Sequence, residues 1–293
     1  MTGVSYSRLE SRALLRLSGP EARGFLQGLV TNDLDRLGPD RSLHAALLSP
    51  QGKFLFEFVL YEDSEAVLLE GEAGRRDELL RRLMLYRLRA KVQIEPDPRV
   101  VLGVPGRQGL ERLALPAEAG ACRRDGEALL STDPRLAELG ARVILAEHDV
   151  AEFVAAKGLE ADADAWELHR LALGVPDGSR DLVVDRSTAL EGNMEALLGV
   201  AFDKGCFVGQ EVTARTKHRG LLKRRLVPVR VEGPLPAPGT QVTAGERDAG
   251  EVRSGHGDRA ICLLRLDFLA VDGPTLKAGD SIIVPQPPAW MEA

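Results

Sequence analysis

The sequence predicts an α+β protein whose C-terminal part is a small antiparallel barrel or sandwich. Two observations carry that class. In the first three quarters of the chain, apolar residues recur at helical spacing in a few segments set between short apolar runs of strand type. From Leu226 onward the texture changes: β-type runs at 226–231, 240–243, 249–253, 260–266 and 281–284 are divided by Gly, Pro and Asp turns. The chain has 293 residues, room for two domains, and the change of texture puts a boundary near residue 222.

The elements follow in order. Residues 13–17 read as a strand. Ser18 and Glu21 have the spacing of a capping box, and Ala22, Phe25, Leu26 and Leu29 then share one buried helical face. Thr31, Asn32 and Asp33 either stop that helix or form the polar rim of a pocket. The apolar runs 43–49 and 54–61 flank Pro50-Gln51-Gly52-Lys53, the pattern of a hairpin, and 66–71 adds a strand. Residues 77–89 read as a helix with Leu80, Met84 and Leu88 on one face. Arg81, Arg82, Arg87 and Arg89 crowd the others as a solvated basic surface.

Pro96 and Pro98 mark a boundary. After them 100–104 is a strand and 107–115 irregular. The spacing of Gly103, Gly106 and Gly109 is not that of a dinucleotide site. A strand at 142–146 and a short helix at 150–156 make 97–160 a small α+β unit. Residues 164–173 form a helix stopped by Gly174 and Pro176, with Trp166, His169 and Leu173 on one face. His169 has no His or Cys at i+4 and reads as a packed residue rather than a metal ligand. The polar stretch 177–195 is loop-like.

A net charge of −6 gives no global case for nucleic acid or an anionic membrane, and no apolar run approaches the roughly 18 residues of a membrane span. Cys122, Cys206 and Cys262 are far apart and form no CxxC pair. Neither a disulfide framework nor a zinc site is written in the sequence, and a reducing cytoplasm is expected. The N-terminal residues do not have the pattern of a signal peptide.

One stretch concentrates chemistry: residues 203–225. Lys204, Arg215, Lys217, Arg219, Lys223, Arg224 and Arg225 stand there against Glu211, either an anion site or a basic solvated edge. If 211–217 is extended, alternation puts Glu211, Thr213, Arg215 and Lys217 on one face. Cys206 lies between Gly205 and Phe207, beside Lys204. That neighbourhood favours a thiolate, unless the thiol is simply buried and inert. One cysteine cannot hold an iron–sulfur cluster, which normally takes about four ligands, so Cys206 meets iron only with a partner's thiolates or transiently.

The octapeptide Lys204-Gly205-Cys206-Phe207-Val208-Gly209-Gln210-Glu211 resembles the K-G-C-[FY]-x-G-Q-E signature of the YgfZ family, folate-binding relatives of the glycine-cleavage T-protein. The similarity continues through Thr213-Ala214-Arg215 and His218-Arg219-Gly220. Earlier blocks fall in the family's order: Phe25-Leu26-Gln27-Gly28 with Thr31-Asn32-Asp33, Ser49-Pro50-Gln51-Gly52-Lys53, Tyr86-Arg87-Leu88-Arg89, Asp133-Pro134-Arg135 with Leu139-Gly140, and Trp166 with Arg170, Gly174 and Pro176. The resemblance implies a T-protein-like fold of three subdomains around a central channel. Residues 1–221 would form the aminomethyltransferase-like region, with 97–160 as its smaller subdomain, and 222–293 the β-barrel.

It also implies a role in assembling or repairing iron–sulfur clusters in client enzymes, tRNA-modifying ones included, with Cys206 as the functional thiol. Tetrahydrofolate or a derivative is the implied cofactor, with no permanently bound metal. The implied folate set is Glu191, Asn193, Lys204, Arg215, Asn32, Asp33, Gln210 and Glu211. Glu191 stands for the pterin-binding carboxylate, apt because a pterin edge offers adjacent N–H donors. Arg215 and the lysines suit the glutamate tail. The implied partners are iron–sulfur assembly proteins and their clients; direct nucleic-acid or membrane binding is not expected, and a monomer is. T-proteins carry an Asp-Asp pair where this chain has Phe56-Glu57. That departure favours an accessory factor over the alternative, a folate-dependent aminomethyl or C1 transferase.

Overall fold

The computed structural model describes residues 3–220, 222–269 and 273–291. The chain forms two compact units, each discontinuous in sequence. The first takes Met1–Leu48, Phe56–Trp166 and Leu197–Val208; the second takes Ser49–Leu55, Glu167–Ala196 and Gly209–Ala293. The boundary expected near residue 222 therefore falls inside the second unit, and Leu221 lies outside the described residues.

The first unit is built on two sheets. Its strands are β1 (Val4–Arg8), β2 (Arg12–Ser18), β3 (Leu43–Leu48), β4 (Phe54–Asp63) from Phe56 on, β5 (Ala66–Glu72), β6 (Gln93–Asp97), β7 (Val100–Pro105), β8 (Cys122–Asp125), β9 (Ala128–Thr132), β10 (Gly140–Leu145) and β11 (Leu159–Ala161). One sheet has the order β3-β4-β5-β2-β6, the other β11-β1-β7-β10-β9-β8. β3 is buried along its whole length, which is why 43–48 reads as an unbroken apolar run rather than an alternating one. β6 carries Pro96 without penalty because it is an edge strand.

Helices pack on these sheets, and three of them depart from expectation. α1 (Ala22–Gln27) buries Ala22 and Leu26, but no capping box starts it. Glu21 is its N-cap without a side-chain cap bond, and the Glu21 carboxylate instead accepts the backbone N–H of Lys91. α2 (Arg76–Arg87) turns Leu79 and Leu83 inward, so Met84 and Leu88 of the expected apolar face point to solvent. Residues expected to be irregular form α3 (Gly106–Arg112). Gly109 argues against a helix by propensity, yet a Cβ there would come within 2.7 Å of the Val104 carbonyl oxygen. The glycine is what lets α3 lie against β7. α4 (Val150–Lys157) adds Val150, Phe153 and Val154 to a core of Leu102, Val104, Leu130 and Val143.

Between the two sheets of this unit lies a chain of buried charges. Glu70 on β5 accepts from Tyr61 Oη at 2.7 Å and Arg12 Nε at 3.0 Å, and pairs with Arg142 on β10. Arg142 Nε reaches Asp133 at 2.7 Å, Asp133 also holds Arg135 at 3.0 Å, and Arg135 reaches Glu57 at 3.4 Å. Three carboxylates face three guanidiniums, so the buried formal charge balances. This gives a structural account of the Asp133-Pro134-Arg135 block.

The second unit contains α5 (Ala165–Leu173) from Glu167 on, α6 (Gly178–Asp181), α7 (Gln210–His218) and six strands. β12 (Arg224–Glu232), β13 (Gln241–Ala244), β14 (Arg247–His256), β15 (Arg259–Arg265), β16 (Leu276–Ala278) and β17 (Ser281–Pro285) close in the order β12-β15-β14-β13-β16-β17. Closure decides the sequence alternative in favour of the barrel. Val227, Val229, Val231, Val242, Val252, Leu264 and Ile283 fill it, with Cys262 among them. Arg170 of α5 is fully buried. It donates to Asp181 Oδ2 at 3.1 Å, to Ser254 Oγ on β14 at 3.1 Å, and to the Val175 carbonyl at 2.9 Å.

Residues 211–217 are helical, not extended, which corrects the face predicted for Glu211, Thr213, Arg215 and Lys217. β-Branched Val212, together with the two threonines Thr213 and Thr216, favours a strand by propensity. Their hydroxyls are nonetheless satisfied within the helix: Thr213 Oγ1 donates to the Gly209 carbonyl at 3.1 Å and Thr216 Oγ1 to that of Val212 at 2.9 Å. Gly209 starts the helix with φ +85°, a conformation that breaks the preceding extended run.

Candidate functional site

The first unit presents Cys206 on a short segment, 203–208, with the thiol residue exposed. Two neighbours hold that segment. The Lys204 side chain turns inward and its ammonium donates to three carbonyls, of Gln27 at 2.8 Å, Val30 at 2.8 Å and Asn32 at 2.6 Å. All three of its N–H bonds are thereby used. The same Nζ lies 5.4 Å from the centre of the buried Phe207 ring. Burial pulls the Lys204 pKa down to about 8, while Asp33 and Asp35 pull the other way. Lys204 and Phe207 thus anchor the segment from both sides of Cys206, and the thiol is left at its exposed turn.

The other cysteines are placed differently. Cys262 is sealed in the barrel core, where burial pushes its thiol up to about 12. Cys122 is half-buried on β8, and burial raises its thiol as well. Since the thiolate is the nucleophile and the metal ligand, both are poorly suited to either role. Among the described residues no group of three or more His, Cys, Asp or Glu side chains is arranged to hold a metal ion.

Glu191 lies in the second unit, on the wall of a cavity of about 540 Å³. Such a volume falls within the roughly 300–1,000 Å³ of small-molecule sites. The polar lining is Arg186, Ser187, Thr188, Glu191, Thr216, Lys223, Arg224, Glu251 and Arg253, with Val183, Leu222 and Leu263 as the apolar part. Four cations face two carboxylates. Glu191 Oε2 accepts from the backbone N–H of Thr188 at 2.7 Å and from its hydroxyl at 3.1 Å, which leaves Oε1 open as an acceptor. Arg253 pairs with Glu251 at 2.8 Å, but its buried Nε has no hydrogen-bond partner among the described residues. An orphaned buried donor is costly unless a ligand acceptor meets it. The cavity therefore suits an anion that also carries N–H donors, and these residues fit a pterin with a carboxylate tail.

The remaining predicted residues serve the scaffold or lie at the surface. Asn32 is buried. Its amide donates to the carbonyls of His44 at 2.7 Å and Leu198 at 2.8 Å, and its oxygen accepts the N–H of Asp33. Asp33 accepts from Gln27 Nε2 at 2.8 Å and caps the turn 34–36. Chiefly because of that Gln27 bond, its carboxyl is held below the ordinary value. Asn193, at φ +60°, clips onto β12: its amide donates to the Leu226 carbonyl at 2.8 Å and its oxygen accepts from Arg225 Nε at 2.7 Å. Arg215 and Glu211 sit 3.7 Å apart on the exposed side of α7, with Gln210 at its start. Lys217 pairs with Glu195. Of the cations counted at 204–225, Lys223 and Arg224 line the cavity.

Sequence reasoning missed Arg186, Thr188 and Arg253. For Thr188 a signal existed: Thr188-x-x-Glu191 has the spacing of a capping box, and the two side chains do meet. Glu57 is also settled in place. It is buried against His44, 3.2 Å away, and Arg135, and although burial opposes ionisation these partners hold its pKa at about 2. Held low and paired with these partners, Glu57 is a weak base near neutrality.

Residues 223–293 match the family model described as CAF17, C-terminal beta-barrel domain. Along nearly the whole chain, the Mus musculus protein named iron-sulfur cluster assembly factor IBA57, mitochondrial, is 35% identical, the match covering 96% of this chain and 84% of the mouse protein. This chain belongs to the IBA57 family. The Homo sapiens IBA57 protein is 36% identical over 88% of this chain and 76% of its own length. IBA57 is a CAF17/YgfZ-like family, and at that level the resemblance of the octapeptide holds. The IBA57 relatives of mouse, human and Neurospora crassa are mitochondrial by name, and they overturn the expectation of a cytoplasmic protein. The fold has a solved counterpart in the glycine cleavage system aminomethyltransferase T of Bartonella henselae, with TM-score 0.79 at 18% identity over 99% of this chain and 86% of that one. The fold is thus T-protein-like, as the resemblance implies.

Proposed function

We propose that this protein is an accessory factor for assembling or repairing iron–sulfur clusters, of the YgfZ type, with Cys206 as its functional thiol and tetrahydrofolate or a derivative as its cofactor. The observation that carries this reading is the contrast among the three cysteines. Cys206 is exposed on an anchored segment, while Cys122 and Cys262 are buried in part or fully. A cluster normally takes about four ligands, so Cys206 supplies one and a partner protein the rest. The names of the IBA57 relatives support the same role. The partners on this reading are iron–sulfur assembly proteins and client enzymes, tRNA-modifying ones among them.

Folate belongs to the cavity of the second unit. Glu191 Oε1 would accept from the pterin N–H groups, and Arg186, Lys223, Arg224 and Arg253 would meet the carboxylates of the tail. This keeps Lys223 for the tail and replaces Lys204 and Arg215 with Arg186, Arg224 and Arg253. The transferase alternative loses ground because Glu57, at the position of the T-protein carboxylates, is fixed in a buried ion pair.

Titration calorimetry with tetrahydrofolate tests the cofactor half. The intact protein is expected to bind, and Glu191→Gln to bind about tenfold more weakly, the scale of one lost charged hydrogen bond. Equal binding by both would remove Glu191 from the site. Sustained formation of methylene-tetrahydrofolate from an aminomethyl donor would restore the transferase. The assembly half predicts that cells deleted for the gene lose activity of cluster-dependent enzymes and regain it with the intact chain.

A further inference from the structure

The outward face of α2 carries a surface that neither cluster chemistry nor the cavity uses. Met84, Leu85 and Leu88 are 41%, 72% and 85% exposed, while the helix is held to its own unit by Leu79 and Leu83. Arg81, Met84 and Leu85 follow at i, i+3, i+4 and so form one outward stripe, and Leu88 follows as the residue that ends the helix. Arg81, Arg89 and Lys91, close to it in sequence, are exposed, and none of their side chains has an ion-pair partner among the described residues, although the Lys91 backbone N–H donates to Glu21. Most other arginines of this unit are paired, as Arg8 is with Glu147 and Arg41 with Glu118. Three exposed cations close in sequence to exposed leucines, in a chain of net charge −6, are a local reversal of sign.

The backbone adds an independent observation. Leu88 ends the helix at φ +46°, ψ −105°, outside the regions a leucine ordinarily adopts. Such a conformation costs about 1–3 kcal/mol. No core packing repays it, since the side chain is the most exposed large apolar group among the described residues. The conformation sets Leu88 just past the helix end, with its side chain in solvent. A rigid exposed anchor loses little freedom on binding.

We propose that the C-terminal end of α2 is a docking surface for a protein partner that presents an apolar pocket ringed by carboxylates. Leu85 and Leu88 enter the pocket, and Arg81, Arg89 and Lys91 pair with the rim. Apolar anchors within a charged border are the anatomy of specific protein interfaces, where Met and Arg are enriched. A protein fits better than an anionic bilayer for two reasons. A helix that lies on a membrane is apolar along its length, whereas here the exposed apolar residues are confined to one end. Asp77 and Glu78, exposed in the first turn, would face the lipid charge.

The test places the photo-crosslinking residue p-benzoylphenylalanine at Leu85 of the full chain, in cells that depend on the protein, and maps the adduct by mass spectrometry. The proposal expects a discrete protein adduct whose crosslinked peptide is rich in Asp and Glu. It also expects the yield to fall at least fivefold when Arg81→Glu and Arg89→Glu are added, with thermal stability unchanged. An adduct to phospholipid, to a second copy of this chain or to a non-acidic peptide would overturn it, as would no adduct at all or a yield indifferent to the charge reversal.

Discussion

At the scale of single residues, the molecule separates positions that are adjacent in sequence and unlike in role. Lys204 and Cys206 belong to one octapeptide, yet the lysine is spent on three carbonyls and the thiol is exposed. Charge next to a cysteine suggested an electrostatic role for Lys204; its hydrogen bonds make it an anchor. Lys204→Met keeps the length and the apolar stem but strands the carbonyls of Gln27, Val30 and Asn32. It is expected to cost about 3 kcal/mol in urea unfolding and to raise amide exchange across 203–208. Unchanged exchange there would refute the anchoring. The cysteine could be picked from the sequence by its motif. Its exposure could not, because burial depends on which carbonyls the neighbouring lysine finds 172 and more residues away. Arg186 and Arg253 were invisible for a related reason: in a chain with 31 arginines, a single one carries no signal until a cavity gathers it.

At the scale of elements, the hairpin and the barrel were readable because their turns are marked by Gly, Pro and Asp and their cores by Val and Ile. α7 and the outward face of α2 were not. In α7 three β-branched residues argue for a strand by propensity, and the hydroxyls of Thr213 and Thr216 find their acceptors inside the helix only once it has formed. In α2 both faces offer leucines, so periodicity alone cannot say which is buried. The hairpin glycine shows how two motif blocks depend on each other within the second unit. Gly52 sits at φ +71°, and a Cβ there would lie 3.0 Å from Val212 Cβ and 3.2 Å from the Gly209 carbonyl oxygen. Gly52→Ala is therefore expected to cost about 2 kcal/mol, from backbone strain and crowding together. Adding Val212→Ala should recover part of it. A double variant no more stable than Gly52→Ala would show that α7 does not press on the turn.

At the scale of the whole molecule, the T-protein-like architecture was legible through the motif blocks, whereas the two-unit division was not. The units exchange segments, and composition along the chain does not register that exchange. Buried charge was equally hidden, since Glu57, Glu70, Asp133, Arg135 and Arg142 look like surface residues in a string of letters. Their pairing has a consequence for stability. Glu57 titrates near 2 in the fold against an ordinary 4.5, and Asp133 is also held low, by Arg135 and Arg142. Folded pKa values below the unfolded ones stabilise above the ordinary carboxylate range, and that stability fades as pH falls from about 4.5 through 2. Urea unfolding followed from pH 6 to pH 2, on the order of the range these groups span, should show steep acid destabilisation, and Glu57→Gln should flatten the slope while lowering stability at pH 6. The functional claim for the whole molecule is that one exposed thiol does the cluster work. The most direct measurement compares Cys206→Ser, Cys122→Ser and Cys262→Ser chains, expressed at equal levels in cells lacking the gene, by the activity of cluster-dependent enzymes. Loss of activity is expected for Cys206→Ser and near-full activity for the other two; full activity with Cys206→Ser would rule out Cys206 as the functional thiol.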